Sequence, residues 1–236
     1  MCLAWVGGRA PVSTVANAMR LTSFVALIVL SLGVAGYAVA VYGLFPLGAI
    51  VHPDMRATFE ANRAGIYAHI FASAVALALG PFQFSPRLRS ARPGLHRWSG
   101  RLYLGVGVLV GGVAGLFMAF HALGGLTSRL GFACLALAWL YTGSRAYLAI
   151  RARDVASHRR WMVRNFALTF AAVTLRLWLP ASIVAGFPFE LAYPVIAWLC
   201  WLPNLVAAEL LFNRTRVPSI EQAASGRPAS SAHVER

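Results

Sequence analysis

Six long runs of apolar residues, separated by short segments rich in arginine, dominate this sequence. A run of roughly 20 apolar residues can cross the hydrocarbon core of a bilayer as an α-helix. The runs are continuous rather than alternating, which argues against the strands of a membrane β-barrel. Of the 236 residues, 59% are hydrophobic and 12% are charged, whereas about a quarter of the residues in a soluble domain are charged. We therefore predict an all-α, polytopic membrane helical bundle.

The uncharged stretches set the boundaries of six predicted transmembrane helices. They cover about residues 21–45, 64–84, 102–121, 130–150, 165–187 and 191–212. Residues 1–20 form an N-terminal segment, the transmembrane domain extends over residues 21–213, and the remaining residues, 214–236, are rich in Ser, Ala, Pro and Arg. Because this last segment lacks apolar periodicity, we predict a disordered cytoplasmic tail.

The start of the chain also fits a second interpretation. Arg20, the following apolar run and the Ala38-Val39-Ala40 tripeptide resemble a cleavable signal peptide with its cleavage site. The apolar run continues past this tripeptide to Phe45, which makes it long enough to span the bilayer. The sequence favours a first transmembrane helix and leaves cleavage open.

The distribution of arginine predicts the orientation. All 21 basic residues are Arg, and the formal net charge is +14. They concentrate before the first helix, in the second and fourth connections and in the tail, whereas the opposite connections hold only Arg56, Arg63 and Arg129. Because cytoplasmic loops carry the excess of basic residues, both termini are predicted to be cytoplasmic. The protein itself is predicted to lie in the cell inner (plasma) membrane.

The same charge distribution predicts the partners. A basic soluble domain would suggest nucleic acid, but these arginines lie between apolar runs, so we expect no nucleic-acid partner. The arginine-rich loops are instead expected to contact anionic lipid headgroups. The three cysteines have no CxxC spacing, so the sequence supports neither a disulfide framework nor a zinc site.

Four histidines and one arginine are the candidate functional residues. His69 and His121 fall near the outer ends of the second and third helices, and His96 and His158 just before the third and fifth helices on the cytoplasmic side. Arg176 lies 12 residues beyond Arg164, about 18 Å along the helix axis. An ionisable residue at such depth needs a compensating partner, and we expect an anionic ligand, a water-filled cavity or ring stacking. An ion pair with Glu209 is not expected, because the two differ by about 12 Å in depth.

Other polar residues align with these candidates at about 100° per residue. On the fifth helix the stripe contains His158, Asn165, Thr169 and Arg176, and on the second it contains His69, Ser73 and Gln83. Both stripes are predicted to face the bundle interior. Their Ser, Thr, Asn and Gln members are expected to form hydrogen bonds between helices.

Three glycines share one face of the third helix. Gly107, Gly111 and Gly115 form a doubled GxxxG pattern, which favours close packing between helices. A slot for a flat cofactor and a homodimer contact are the alternatives.

Two segments resemble the predicted bacterial membrane proteins grouped as domain of unknown function 2306. They are residues 95–103, LHRWSGRLY, and residues 158–165, HRRWMVRN, with GPFQF at 80–84 as a third point of likeness. The resemblance covers roughly residues 60–180 and implies a multi-pass membrane protein. The family has no settled activity.

More distantly, the plan of helices with histidines at two depths is similar to the b-type dihaem membrane cytochromes. That resemblance implies haem b held by His96 with His158 on the inner side and by His69 with His121 on the outer side. Arg176 would then lie near a propionate or a quinone oxygen. The chain would be a membrane electron-transfer protein, at most a component of an oxidoreductase.

Two other functions stay open. In a transporter-like protein, the polar stripes would line a pathway and Arg176 would select an anionic small molecule. In a lipid-interacting protein without a redox cofactor, the Arg, His and Trp motifs would bind phosphate headgroups through charge-assisted hydrogen bonds.

Overall fold

The computed structural model describes residues 14–49 and 51–213, and all regular structure in these residues is helical. In chain order the helices are α1 Thr14–Leu44, α2 Pro53–Ala61, α3 Arg63–Gln83, α4 Pro86–Ala91, α5 Pro93–Leu102, α6 Gly111–Ala119, α7 Gly125–Arg151, α8 Val155–Thr169, α9 Ala171–Val184, α10 Phe189–Leu199 and α11 Leu202–Ala208. π-Helical segments occupy Tyr103–Val110, which joins α5 to α6, and Glu209–Asn213, which follows α11. The all-α prediction is confirmed for this part of the chain.

Within residues 14–49 and 51–213, five helical stretches are long and apolar enough to cross a membrane. They are Leu21–Leu44, Arg63–Gln83, Pro93–Ala119, Val155–Val184 and Phe189–Leu211. The fourth predicted helix is present as the continuous, 27-residue α7. It falls outside this group of five because Arg129, Arg145 and Arg151 lower its apolar character. The protein is thus a multi-pass membrane protein.

Two helices begin up to ten residues before the predicted transmembrane segments. The third helix begins at Pro93, because its polar first turns continue without a break into the apolar run. The fifth begins at Val155, where Asp154 accepts a hydrogen bond from the backbone N–H of Ser157 and caps the helix. Charged residues can extend a membrane helix beyond the bilayer, and a count of apolar residues misses those turns.

The sixth and the first predicted helices also differ from the structure. The sixth divides into α10 and α11, because Pro203 has no N–H to continue the helical hydrogen bonds. The first begins at Thr14, inside the predicted N-terminal segment. Residues 1–13 and the predicted tail, 214–236, lie outside the described residues.

Helix α3 packs against α1, α8 and the long helix that runs from α5 through the π-helical segment to α6. The glycines of that long helix face α3: a Cβ on Gly107 would lie 2.6 Å from Ala76 Cβ, and one on Gly111 would lie 3.0 Å from Ser73 Oγ. Helix α7 packs against α6, α8 and α10. The GxxxG face is therefore used for close packing within the chain.

The bundle has two ends with different chemistry. We call the end that holds α4, the first turns of α5 and α8 and the last turns of α7 the arginine-rich end. The other end, which holds α2 and the turn between α6 and α7, is the distal end. Near the arginine-rich end, Glu209, directly after α11, pairs with Arg164 of α8. The carbonyl oxygen of Ala146, near the end of α7, lies 2.9 Å from Nδ1 of His158 in the first turn of α8.

Candidate ligand cavity and histidine clusters

A cavity of about 730 Å³ opens in the distal half of the bundle. Its walls come from α1, α3, α6, α7, α9 and α10, and α2 lies along its edge. Most of the wall is aliphatic or aromatic. The polar side chains that line it are Tyr37, Tyr42, His52, Thr58, His69, Ser73, His121, Trp139, Thr169, Arg176 and Tyr193. A mostly apolar cavity with a few polar groups is the usual form of a small-molecule site.

His69 is held in one orientation on the cavity wall. Its Nδ1 lies 2.8 Å from the carbonyl oxygen of Gly111. Because a carbonyl oxygen only accepts, Nδ1 carries the hydrogen, and Nε2 of the neutral ring keeps its lone pair. A Cβ on Gly115 would lie 2.7 Å from Nδ1, so this glycine provides the space for the ring. The result is a fixed hydrogen-bond acceptor on an apolar wall.

Arg176 is the cation of the same cavity. Its Nη1 donates to the carbonyl oxygen of Ala172 at 3.0 Å, and its Cζ lies 5.8 Å from the ring centre of Tyr37. Among the described residues no carboxylate lies within ion-pair distance of it. His69 lies close enough to Arg176 for an electrostatic interaction. Arg176 therefore has both ring stacking and a cavity around it, and it retains donors for a ligand.

Glu209 compensates a different arginine. Its carboxylate pairs with Arg164, with Nη2 donating to Oε2 at 3.0 Å and Nε donating to Oε1. The Arg164 guanidinium also lies 4.5 Å from the ring centre of Trp161. This contact joins α8 to the end of the chain that follows α11.

Thr169 lines the cavity and also belongs to a hydrogen-bonded network in the core of the bundle. Tyr103 donates to Asn165 Oδ1 at 2.7 Å, and its phenol oxygen lies 2.9 Å from Thr169 Oγ1. Trp139 Nε1 donates to Thr169 Oγ1 at 2.9 Å, and Asn165 Nδ2 donates to Thr142 Oγ1 at 2.9 Å. Tyr103 and Asn165 are fully buried. The network joins the third helix, α7 and α8.

His96 and His158 meet at the arginine-rich end. Nδ1 of His158 lies 2.9 Å from the carbonyl oxygen of Ala146. His96 is close enough to His158, Arg89 and Arg97 to interact with all three electrostatically. Nδ1 of His96 is buried and has no hydrogen-bond partner among the described residues.

All candidate residues except Gln83 therefore fall into three places. His69, Ser73, His121, Thr169 and Arg176 line the cavity; Asn165, with Thr169, belongs to the buried network; His96 and His158 lie at the arginine-rich end. Gln83 lies apart, donating to Ser99 Oγ at 2.8 Å. Among the described residues there is no group of three or more His, Cys, Asp or Glu side chains that could hold a metal ion.

Sequence reasoning missed several polar aromatic residues. Tyr37 and Tyr42 line the cavity beside Arg176, and Tyr103 and Trp139 complete the buried network. The available signal was a phenol or indole N–H inside an apolar run, because such groups need a hydrogen-bond partner when buried. The predicted stripes considered only smaller and ionisable side chains.

Comparison with known proteins identifies a family. The model of the family described as "Predicted membrane protein (DUF2306)" matches residues 66–212. This region contains α3 to α11 almost completely, with the buried network, the four candidate histidines and the part of the cavity wall that α1 and α2 do not supply. Neither a curated protein nor a solved structure matches the chain.

Proposed function

The chain belongs to the DUF2306 family of predicted membrane proteins, and we propose that its cavity binds an apolar molecule with a quinol-type or quinone-type head. The observation that carries this proposal is the combination of an oriented hydrogen-bond acceptor and a partly buried cation on the wall of a mostly apolar cavity of about 730 Å³. His69 is the acceptor and Arg176 is the cation.

The chemistry of the head follows from the two groups. A quinol hydroxyl donates to Nε2 of His69, whose other nitrogen is occupied by Gly111. The second oxygen of the head accepts from the Arg176 guanidinium, as a quinone oxygen also does. A carboxylate would suit Arg176 but would meet the lone pair of neutral His69. The apolar tail lies against the aliphatic wall, which includes Leu77 and Leu175.

The test is binding of decylubiquinol and decylubiquinone to the purified full-length protein in nanodiscs, measured by equilibrium dialysis. We expect His69→Gln to weaken quinol binding and Arg176→Gln to weaken binding of both forms, each by about tenfold or more, since loss of one such contact costs about 1.4 kcal/mol or more. Arg129→Gln, which removes the same charge at the distal end outside the cavity, is the control. Absence of binding by the unchanged protein, or equal affinities in all variants, would overturn the proposal.

A b-type haem electron-transfer protein is the second candidate, because three histidines are oriented in a similar way. His69, His121 and His158 each direct Nδ1 at a backbone carbonyl, at 2.8, 3.0 and 2.9 Å. This orientation leaves Nε2 available, as in many metal-bound histidines. Haem b would supply one-electron chemistry, with His158 and His96 or His69 and His121 as its ligands.

An absorption spectrum of the dithionite-reduced protein tests this second candidate. A Soret band with a sharp α band, lost in His158→Ala, would support the inner pair. A colourless preparation from haem-replete cells would exclude haem at either pair. Transport of an anionic solute has less support, because the fully buried Tyr103 and Asn165 occupy the stripe beyond the cavity.

We also propose that the chain crosses the inner membrane six times, with both termini cytoplasmic. Helix α7 supports the sixth crossing: at 27 residues it is about 40 Å long. Near its start the carbonyl oxygen of Thr127 accepts from Trp198 at the distal end, and near its end the carbonyl oxygen of Ala146 accepts from His158 at the arginine-rich end. Reporter fusions at residue 123 and at residue 153 should locate on opposite sides of the membrane, with residue 153 in the cytoplasm.

A further inference from the structure

The arginines of α4 and α5 form a surface without acidic partners. Five arginines lie there: Arg87, Arg89, Arg92, Arg97 and Arg101. Among the described residues none of them forms an ion pair. Two acids nearer the arginine-rich end than α2 have other partners, since Asp154 caps α8 and Glu209 pairs with Arg164. No acidic side chain of the described residues therefore neutralises this surface through an ion pair.

Trp98 indicates the depth of this surface in the membrane. Leu95, Trp98 and Leu102 form an exposed apolar stripe along α5, and Trp98 is 63% exposed. The Arg101 guanidinium lies 5.3 Å from the Trp98 ring centre. Tryptophan is enriched where the hydrocarbon meets the headgroups. His96 is two residues away, about 3 Å along the helix axis, and so lies at headgroup depth.

Three side chains at this end of the bundle are complementary to a phosphate group. Arg89 and Arg97 each lie close enough to His96 to interact with it electrostatically, and His96 Nδ1 is buried without a partner among the described residues. Arg89 is directed toward the end of α3 by a long contact from Nη1 to the carbonyl oxygen of Gln83, at 3.4 Å. Guanidinium groups bind phosphate through paired, charge-assisted hydrogen bonds.

We propose that Arg89, Arg97 and His96 form a binding site for the phosphodiester of an anionic membrane lipid. The two guanidinium groups donate to the phosphate oxygens, and Nε2–H of the partly buried His96 ring donates a further hydrogen bond. The acyl chains of the lipid then lie along Leu95, Trp98 and Leu102. This site is separate from the distal cavity and does not depend on what the cavity holds.

Native mass spectrometry of the full-length protein, released from nanodiscs of mixed phosphatidylglycerol and phosphatidylcholine, tests the proposal. We expect the protein to retain phosphatidylglycerol in preference, at least fivefold over its share of the bilayer. The variant Arg89→Gln/Arg97→Gln should lose this preference. The control Arg63→Gln/Arg129→Gln removes the same charge at the distal end and should keep it.

His96→Gln keeps the proposal testable if the double variant does not fold. Since His96 Nδ1 makes no hydrogen bond to the described residues, its replacement should leave the unfolding temperature unchanged while reducing the preference at least twofold. Equal retention of both lipids by the unchanged protein, or an unchanged preference in His96→Gln and in a folded double variant, would overturn the proposal. Displacement of the lipid by an equal concentration of inorganic phosphate would show a free anion site instead and would also overturn it.

Discussion

The phenol of Tyr103 donates a hydrogen bond of 2.7 Å to Oδ1 of Asn165, which lies 62 residues away in the chain. Both side chains are fully buried. In hydrocarbon a polar group has no water to bind, so it must find its partner in the protein. The pair therefore fixes how the third helix and α8 meet.

Tyr103→Phe should lower the free energy of unfolding by about 1–2 kcal/mol, because it leaves Asn165 Oδ1 buried without its donor. Reversible denaturation in mixed micelles measures this change. Tyr141→Phe is the control, because Tyr141 is exposed and packs edge-on against Trp161. Equal stability of the two variants would contradict a stabilising role for the Tyr103 hydroxyl.

Gly107→Ala should destabilise the bundle by about 1–3 kcal/mol. Its new Cβ would lie 2.6 Å from Ala76 Cβ and 2.9 Å from Ala76 Cα, so the α3 backbone would have to move. Gly105→Ala in the same π-helical segment meets no atom within 4 Å and should be neutral or slightly stabilising. Ala76→Gly combined with Gly107→Ala should restore part of the loss in the same unfolding assay. A Gly107→Ala protein as stable as Gly105→Ala would show that the helices can separate at little cost.

The Arg164 and Glu209 pair should show a coupling free energy of about 0.5–1 kcal/mol in a double-mutant cycle of Arg164→Gln and Glu209→Gln. The expected value is modest because both side chains are partly exposed, and it should fall as salt is added. The exposed pair of Arg56 and Glu60, four residues apart on α2, should give about 0.3–0.5 kcal/mol. A coupling free energy no larger than that of the α2 pair would argue that the contact of Arg164 with Glu209 does not hold the segment after α11 against α8.

Asp154→Ala should cost about 0.5–2 kcal/mol. The Asp154 carboxylate accepts from the Ser157 backbone N–H at 2.8 Å and so starts α8 next to His158. Asp154→Asn keeps an acceptor oxygen and should recover most of the stability. Thermal unfolding followed by circular dichroism distinguishes the two, and equal losses in both would point to the charge of Asp154 rather than to its cap.

Continuous apolar runs of about 20 residues predicted the all-helical, multi-pass bundle, because every backbone group in hydrocarbon must be satisfied within a helix. It also identified His69, Thr169 and Arg176, which line one cavity, from their positions within apolar runs. Such residues stand out in a sequence because their desolvation is costly.

Sequence could not predict which helix each polar residue meets. The partner of Glu209 is Arg164, and the partner of Asn165 is Tyr103; both pairings depend on how helices pack across the bundle. The π-helical stretch at Tyr103–Val110 was missed for a similar reason. Its apolar residues are equally compatible with an α-helix, so tertiary contacts select the wider π-helical turn.

The wider turn of this π-helical segment sets the direction in which the side chains of α6 point relative to those of α5. One continuous helix directs His96 toward α8 at one end and the carbonyl of Gly111 toward His69 at the other, and the π-helical stretch is the only break from α-helical geometry between these two residues. Removal of one residue there would turn the distal half by about 100° relative to the other half. The number of residues between His96 and Gly111 therefore has to be kept if both halves of the helix are to contact their neighbours at once.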